Sequence, residues 1–287
     1  MRYYFSSPFE GYIPEILSDL IRTGVVKNLL ASYAMYQKMP DKYDYTNVNW
    51  MIDSGAFSVW RKGKHIDLDN YIDFCFHLEN TVPCKSKVYI SLDQIPGIYG
   101  KGRPTVKQVK EACKVSITNF HKCMDTGLKF MPVYHQFEPV EILKEYCQMT
   151  DYVGLSPDNT QPEKSKRKYL AGCFKHTGAE IKTHGFGYSS MKGMELFPFY
   201  SCDSISYKIG EIYGRVIGYS NQRFVGGNNE TFGSRIDNDD IREFFNDTTH
   251  RIDRPINRLN WVNVVKYTKW QDRITELWEK RGVTWDE

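Results

Sequence analysis

Three aspartates close short apolar runs: Asp53 in Trp50-Met51-Ile52-Asp53-Ser54-Gly55, Asp93 in Ile90-Ser91-Leu92-Asp93-Gln94, and Asp203 in Tyr200-Ser201-Cys202-Asp203. A carboxylate in an apolar run is costly unless it is paired or the run opens into a pocket. A single such Asp reads as a structural carboxylate or a turn cap. Here three further runs also end on polar side chains or bare glycine: Val133-Tyr134-His135-Gln136, Val153-Gly154-Leu155-Ser156 and Thr183-His184-Gly185-Phe186-Gly187. Packing alone does not account for a series of this kind. Gly55, Gly154, Gly185 and Gly187 would let a flat ligand approach backbone. Gln136 offers donor and acceptor and Asp93 offers acceptors, so together they can read the polar edge of a heterocycle. Asp53 and Asp203 could then divide glycosyl chemistry. One would attack a sugar carbon, and the other would manage the proton on the departing group.

These groups act together only if the runs are neighbouring strands. Strands are expected over Asn28–Ala34, Trp50–Phe57, Lys87–Gln94, Phe130–Gln136, Tyr152–Ser156, Glu180–Phe186, Phe199–Ile205 and Arg215–Tyr219. Helical patterns lie between several of them: Leu68–Leu78, Thr105–Thr126 with its Thr cap, Pro139–Thr150, and Pro162–Cys173. About eight strands alternating with helices predict an α/β fold, a closed (β/α)8 TIM barrel, whose C-terminal strand edge forms one ring where reactive groups gather. The first strand has no GxGxxG after it, which disfavours a doubly wound open sheet. Two helices, Asn238–Asn246 and Leu259–Lys280, are expected to pack on the barrel. The second carries Trp261, Val264, Val265, Trp270, Ile274 and Trp278 at helical spacing. The expected division is a barrel over 1–236 and a C-terminal helical extension over 237–287.

The bulk properties fit a soluble globular protein: 287 residues, 41% hydrophobic, 25% charged, and a net charge of +3 that permits a nucleic-acid partner without requiring one. Seven scattered cysteines without a CxxC argue against a disulfide framework or a four-ligand zinc site and suit a reducing cytoplasm. No signal peptide and no membrane span are expected.

In sequence, Asp53-Ser54-Gly55-Ala56-Phe57 resembles the DSGGFQ motif of the tRNA-guanine transglycosylases. Tyr134-His135-Gln136 is similar to the family's IVQG strand end, Val153-Gly154-Leu155 to its GGLAVG segment, and His184-Gly185-Phe186-Gly187 to its MGVG segment. The resemblance spans roughly residues 28–220 and keeps the order of the motifs. It implies a (β/α)8 enzyme that exchanges guanine in a polynucleotide for a 7-deazaguanine. Asp203 falls on the nucleophile and Asp53 on the proton-handling acid. Asp93, Gln136, Gly154, Leu155, His184, Gly185, Ser54, Gly55 and Phe57 fall on positions that hold or stack on the base.

The chain departs from the tRNA enzymes where they hold tRNA. It lacks the three-Cys-one-His zinc subdomain after the nucleophile strand. Ala56 and Ser58 replace Gly and Gln, His184 replaces the stacking Met, and Ser204-Ile205-Ser206-Tyr207-Lys208 replaces an arginine-bearing segment. This pattern resembles the phage DpdA-type DNA 7-deazaguanine transglycosylases. The resemblance implies DNA as partner, tRNA as the alternative, no metal, and no cofactor beyond a free 7-deazaguanine base such as preQ0 or a derivative as co-substrate. Arg61, Lys62, Lys164, Lys166, Arg167 and Lys208 are expected on a phosphate-binding rim. A cytoplasmic location is expected, and homodimerisation is left open. A glycoside or nucleoside hydrolase and a catalytically silent nucleic-acid-binding barrel are the competing readings.

Overall fold

The computed structural model describes residues 1–213, 216 and 255–285. The expected strand Arg215–Tyr219, except Val216, and the expected helix Asn238–Asn246 lie outside the described residues. Among those described, nine parallel strand segments form one sheet: β1 (Arg2–Ser6), β2 (Asn28–Ser32), β3 (Asn49–Asp53), β4 (Ser86–Ile90), β5 (Phe130–Met131), β6 (Val133–His135), β7 (Tyr152–Ser156), β8 (Lys182–Gly185) and β9 (Ser201–Ser204). Their order across the sheet is β5-β4-β3-β2-β1-β9-β8-β7-β6. The two outermost segments are consecutive in sequence and separated only by Pro132. Proline has no N–H to donate, so it interrupts the ladder without ending the strand. Its carbonyl still accepts from the Gly154 amide at 2.8 Å. The sheet therefore curls back on itself as a nearly closed parallel barrel.

Helices fill most of the crossovers: α1 (Ile13–Arg22), α2 (Ala56–Lys62), α3 (Leu68–Thr81), α4 (Val106–Met124), α5 (Val140–Met149), α6 (Glu163–Thr177), α7 (Met191–Leu196) and α8 (Ile209–Tyr213), with α9 (Pro255–Lys280) later in the chain. The boundaries follow local chemistry. Thr105 caps α4 in a reciprocal capping box with Gln108, and Pro139 sits at the start of α5. The β2–β3 crossover has no helix. Tyr43 and Tyr45 are buried there instead and pack with Phe9 and Trp50.

Two cores result from the two-residue alternation of the strands. Tyr4, Leu30, Met51, Val88, Ile90, Met131, Val133 and Tyr152 fill the barrel interior, joined by Tyr200 from just before β9. Residues of opposite parity, including Tyr3, Leu29, Trp50, Ile52, Tyr89, Val153 and Cys202, pack outward against the helices. The C-terminal helix α9 joins this outer core over β1. Tyr267 stacks on Tyr3 at 4.4 Å, Gln271 accepts from the Tyr3 amide at 2.8 Å, and the Trp278 indole donates to the Met194 carbonyl at 2.8 Å. Trp261, Val264, Ile274 and Trp278 are buried, as the helical spacing predicts, while Val265 and Trp270 are partly covered.

The expected strand Trp50–Phe57 ends four residues early. Gly55 takes φ +88° and starts α2, so Ala56 and Phe57 are helical. A Cβ on Gly55 would lie 2.3 Å from the Ala34 Cβ and 2.6 Å from the Ser32 Oγ. Its missing side chain therefore serves the turn that ends β3. Gly55→Ala is expected to cost about 3 kcal/mol, the sum of left-handed backbone strain and overpacking, and a urea unfolding midpoint would measure it. No helix among the described residues is long and apolar enough to cross a membrane.

Candidate active site at the C-terminal mouth of the barrel

The inward parity of five strands continues past the interior into polar residues. Tyr4 is followed by Ser6, Leu30 by Ser32, Met51 by Asp53, Val133 by His135, and Ser201 by Asp203. All stand at the C-terminal ends of parallel strands, so one ring collects them. A cavity of about 410 Å³ opens there, lined by Asp53, Asp93, His135, Asp203, Phe57 and Phe186, among others. The three aspartates at the ends of apolar runs thus face one space. A second cavity of about 480 Å³ shares Phe57, Ile95, His135, Ser156 and Asn159 with it and continues past Trp60, Tyr99 and Phe137.

Asp203 is buried and held by three contacts. The Ser6 hydroxyl donates to its Oδ2 at 2.5 Å. The Gly187 amide donates to Oδ1 at 2.8 Å, and the His184 Nε2 lies 3.2 Å from the same oxygen. A carboxylate has about four lone-pair positions. Oδ1 is saturated by its two partners, whereas Oδ2 keeps one position for the cavity.

Asp53 ends β3 on the same cavity, partly buried, and its pKa is pushed up to about 7. Burial is the main cause and the charge of Asp93 the next, with Asp203 adding to both and the Gly55 amide opposing them. A carboxyl group tuned to this range can both give and take a proton near neutral pH. Asp93 pairs with the buried His135, Nε2 to Oδ2 at 2.6 Å. Burial lowers the His135 pKa, but the hydrogen bond and charge of Asp93 and the charge of Glu138 outweigh it, and the net shift is upward. Glu138 accepts from the His135 amide at 2.8 Å. Burial pushes its own pKa up to about 7 against the opposing charge of His135.

Of the residues expected at the site, Asp203, Asp53, Asp93 and Phe57 line the cavity, and Phe57 is half exposed over it. The others are placed differently, and strand parity explains most of the difference. Leu155 and Gly185 face outward; a Cβ on Gly185 would meet Cys202 and Phe199. Gln136 also turns from the aspartates. It lines the second cavity, accepts from the Asp158 amide at 3.0 Å and donates to Ser165 at 3.3 Å, so it pins the loop before α6. Ser54 is fully buried in the turn.

Gly154 and His184 have inward parity but lie one layer below the cavity. The Gly154 amide is bound to Pro132, and a Cβ there would fall 2.3 Å from the Phe186 ring. His184 has 0% exposure, so it cannot stack on a base; Phe186, edge-on to it at 4.5 Å, occupies the wall instead. The alternation His184–Phe186 contains the signal for that exchange. Ser6, His135 and Gly187 also join the site. Ser6 has no signal of its own in the sequence, because the pattern around it does not predict β1.

Lys164 and Lys166 stand in the first turn of α6 at the mouth, and Lys166 reaches Asn159 on the cavity wall at 3.4 Å. Arg167 is ion-paired with Glu163 at 3.1 Å. Arg61 and Lys62 are exposed in the last turn of the short helix α2. Lys208 does not belong to a rim. It is 5% exposed and donates to the Glu10 carbonyl at 3.1 Å. Lys208→Ala is therefore expected to lower stability by about 1–3 kcal/mol and, if nucleic acid is the partner, to leave the salt dependence of its binding unchanged. If nucleic acid is the partner, the double change Lys164→Ala with Lys166→Ala is expected to reduce the slope of log K against log salt by about 1–2. Binding titrations at several salt concentrations separate the two outcomes.

Among the described residues no group of three or more His, Cys, Asp or Glu side chains is placed to hold a metal ion. No protein-family model matches the chain, and a comparison with curated proteins finds no match.

Proposed function

We propose that this protein is a DNA-guanine transglycosylase that exchanges guanine for a 7-deazaguanine base, preQ0 or a derivative, through a covalent Asp203–deoxyribosyl intermediate. The observation that carries this reading is the convergence of Asp53, Asp93 and Asp203 on one aromatic-walled cavity at the strand C-termini. Its volume falls within the range of small-molecule sites, and Phe57 and Phe186 offer faces to a flat heterocycle. On this reading the fold is a (β/α)8 barrel with a helical extension and no zinc subdomain.

Asp203 attacks C1′ of the target nucleotide through Oδ2. The C1′–N9 electron pair leaves with guanine, which takes a proton from Asp53. The incoming base gives its own N9 proton to Asp53 and attacks C1′, and the ester electron pair goes back to Asp203. The bond energy is conserved in the ester, so no energy-rich cofactor enters. Asp93, held by His135, accepts from the donor edge of the base. The target base must leave any duplex stack to reach the cavity, at a cost of a few kcal/mol. The missing tRNA-holding segments favour DNA over tRNA, and a cytoplasmic site of action accords with the cysteine usage.

Expression with a supply of preQ0, followed by separate digestion of DNA and tRNA and nucleoside mass spectrometry, tests the reading. A deazaguanine deoxynucleoside is the expected product. A ribonucleoside alone would move the activity to tRNA, and release of free base without exchange would make the protein a hydrolase.

A further inference from the structure

Beneath Asp203 runs a chain of buried polar groups that base exchange as described above does not use. Tyr152 OH lies 2.5 Å from Ser201 Oγ, Ser201 Oγ lies 2.6 Å from His184 Nδ1, and His184 Nε2 lies 3.2 Å from Asp203 Oδ1. Tyr152, Ser201 and His184 have at most 2% exposure, so their protons are ordered by one another. An ionised carboxylate only accepts. The His184 Nε2 must then carry a proton, and in the neutral ring Nδ1 must accept. Ser201 has one hydroxyl proton; it goes to Nδ1, so Ser201 accepts from Tyr152. The Tyr152 phenol is held protonated, its pKa raised by burial, and supplies the only proton the chain needs at its start. With a neutral His184 ring, one donor order satisfies every group.

We propose that Tyr152, Ser201 and His184 form a relay that fixes His184 as the Nε2–H tautomer and aims it at Asp203 Oδ1, making His184 a positioning residue that tunes Asp203 as a leaving group. This rests on the base-exchange reading for its catalytic meaning. In the covalent intermediate the Oδ2–C1′ bond has formed and Oδ1 is the ester carbonyl oxygen. When the incoming base attacks C1′, the Oδ2–C1′ electron pair returns to the carboxylate and negative charge spreads to Oδ1. The Nε2–H and the Gly187 N–H already point there, as donors do at a site of developing charge. No proton moves along the relay; it holds a dipole in place. The donors favour the free carboxylate over the ester, so they slow attack somewhat and speed release. An enzyme that must complete both halves of an exchange needs that balance.

Two measurements test this. The first is ¹⁵N NMR of His184 in the unliganded protein, where the Nε2–H tautomer is expected in wild type and a mixture of tautomers in Tyr152→Phe, which keeps the ring packed against Tyr200. The second is the fraction of enzyme carrying the covalent adduct after incubation with DNA and 7-deazaguanine, read on a denaturing gel. In His184→Leu, and more weakly in Tyr152→Phe, the adduct is expected to rise by about tenfold relative to free enzyme while turnover falls, because one hydrogen bond to a charged group is lost. A merely structural role would lower adduct and turnover together, and that result would overturn the proposal. An Nδ1–H tautomer in wild type would overturn it whatever the activity. If wild type forms no adduct with DNA or tRNA, the base-exchange reading fails, and the NMR result alone decides whether the relay exists.

Discussion

Asp203→Asn is expected, on the base-exchange reading, to reduce exchange by about 10⁴-fold or more while leaving the fold intact. The side chain changes by one atom, and its surroundings tolerate the change. The amide oxygen can keep the contacts of Oδ1 with the Gly187 amide and His184, and the Ser6 hydroxyl can rotate to accept where it had donated. What disappears is the charged oxygen with a lone pair open to the cavity. DNA binding is therefore expected to persist within a few-fold, and no covalent adduct should form. Quenched-flow exchange with labelled guanine gives the rate, and a denaturing gel gives the adduct. Turnover within tenfold of wild type would remove Asp203 as nucleophile and leave Asp53 as the only remaining candidate of the pair.

The carboxylates of the candidate site are more legible in the sequence than the residues around them. The ends of apolar runs locate Asp53, Asp93 and Asp203, because an acid in such a place needs a special reason. Strand parity, applied to the same runs, accounts for several of these placements, though not for Asp93, which follows the end of β4 and lines the cavity out of step with Val88 and Ile90. His135 shares the parity of Val133, and Gln136 does not; Phe186 shares that of His184. Matching motifs by order alone passes over this two-residue alternation. β1 is not legible in the same way. Arg2-Tyr3-Tyr4-Phe5-Ser6 is short, lacks a turn signal before it and draws its stability from pairing with β2 and β9 and from Tyr267 of α9, which are contacts distant in sequence. The turn at Gly55 reads as strand because its left-handed backbone leaves no mark beyond a glycine, and glycine also suits a ligand's approach. The burial of Lys208 reflects tertiary packing around Glu10, which no local pattern reports.

Asp53→Asn is expected to stabilise the protein above neutral pH while disabling proton transfer. The folded pKa of Asp53, about 7, lies above its ordinary value of 3.8. The folded state thus holds the proton more tightly than the unfolded chain does. The stability this contributes is complete below about pH 4 and is lost as pH rises through about 7. Above that, the wild type must keep a carboxylate beside Asp93 and Asp203, at a cost of about 1–3 kcal/mol after allowance for its contact with solvent. The amide that replaces it carries no charge, so the gain in thermal midpoint should be present at about pH 8 and close to absent at about pH 4. Glu138, raised from 4.5 to about 7, drives the wild-type stability in the same direction over the same window.

The activity loss should be about 10²–10⁴-fold for guanine, the span of general acid–base catalysis. It should be much smaller for release of an N7-methylated guanine, which is cationic while bonded to C1′, departs as a neutral base and needs no proton. Single-turnover release of the two bases by Asp53→Asn reads that difference directly. Equal losses for both bases would show that Asp53 acts through position or charge, and proton delivery to the leaving group would then have to come from another residue.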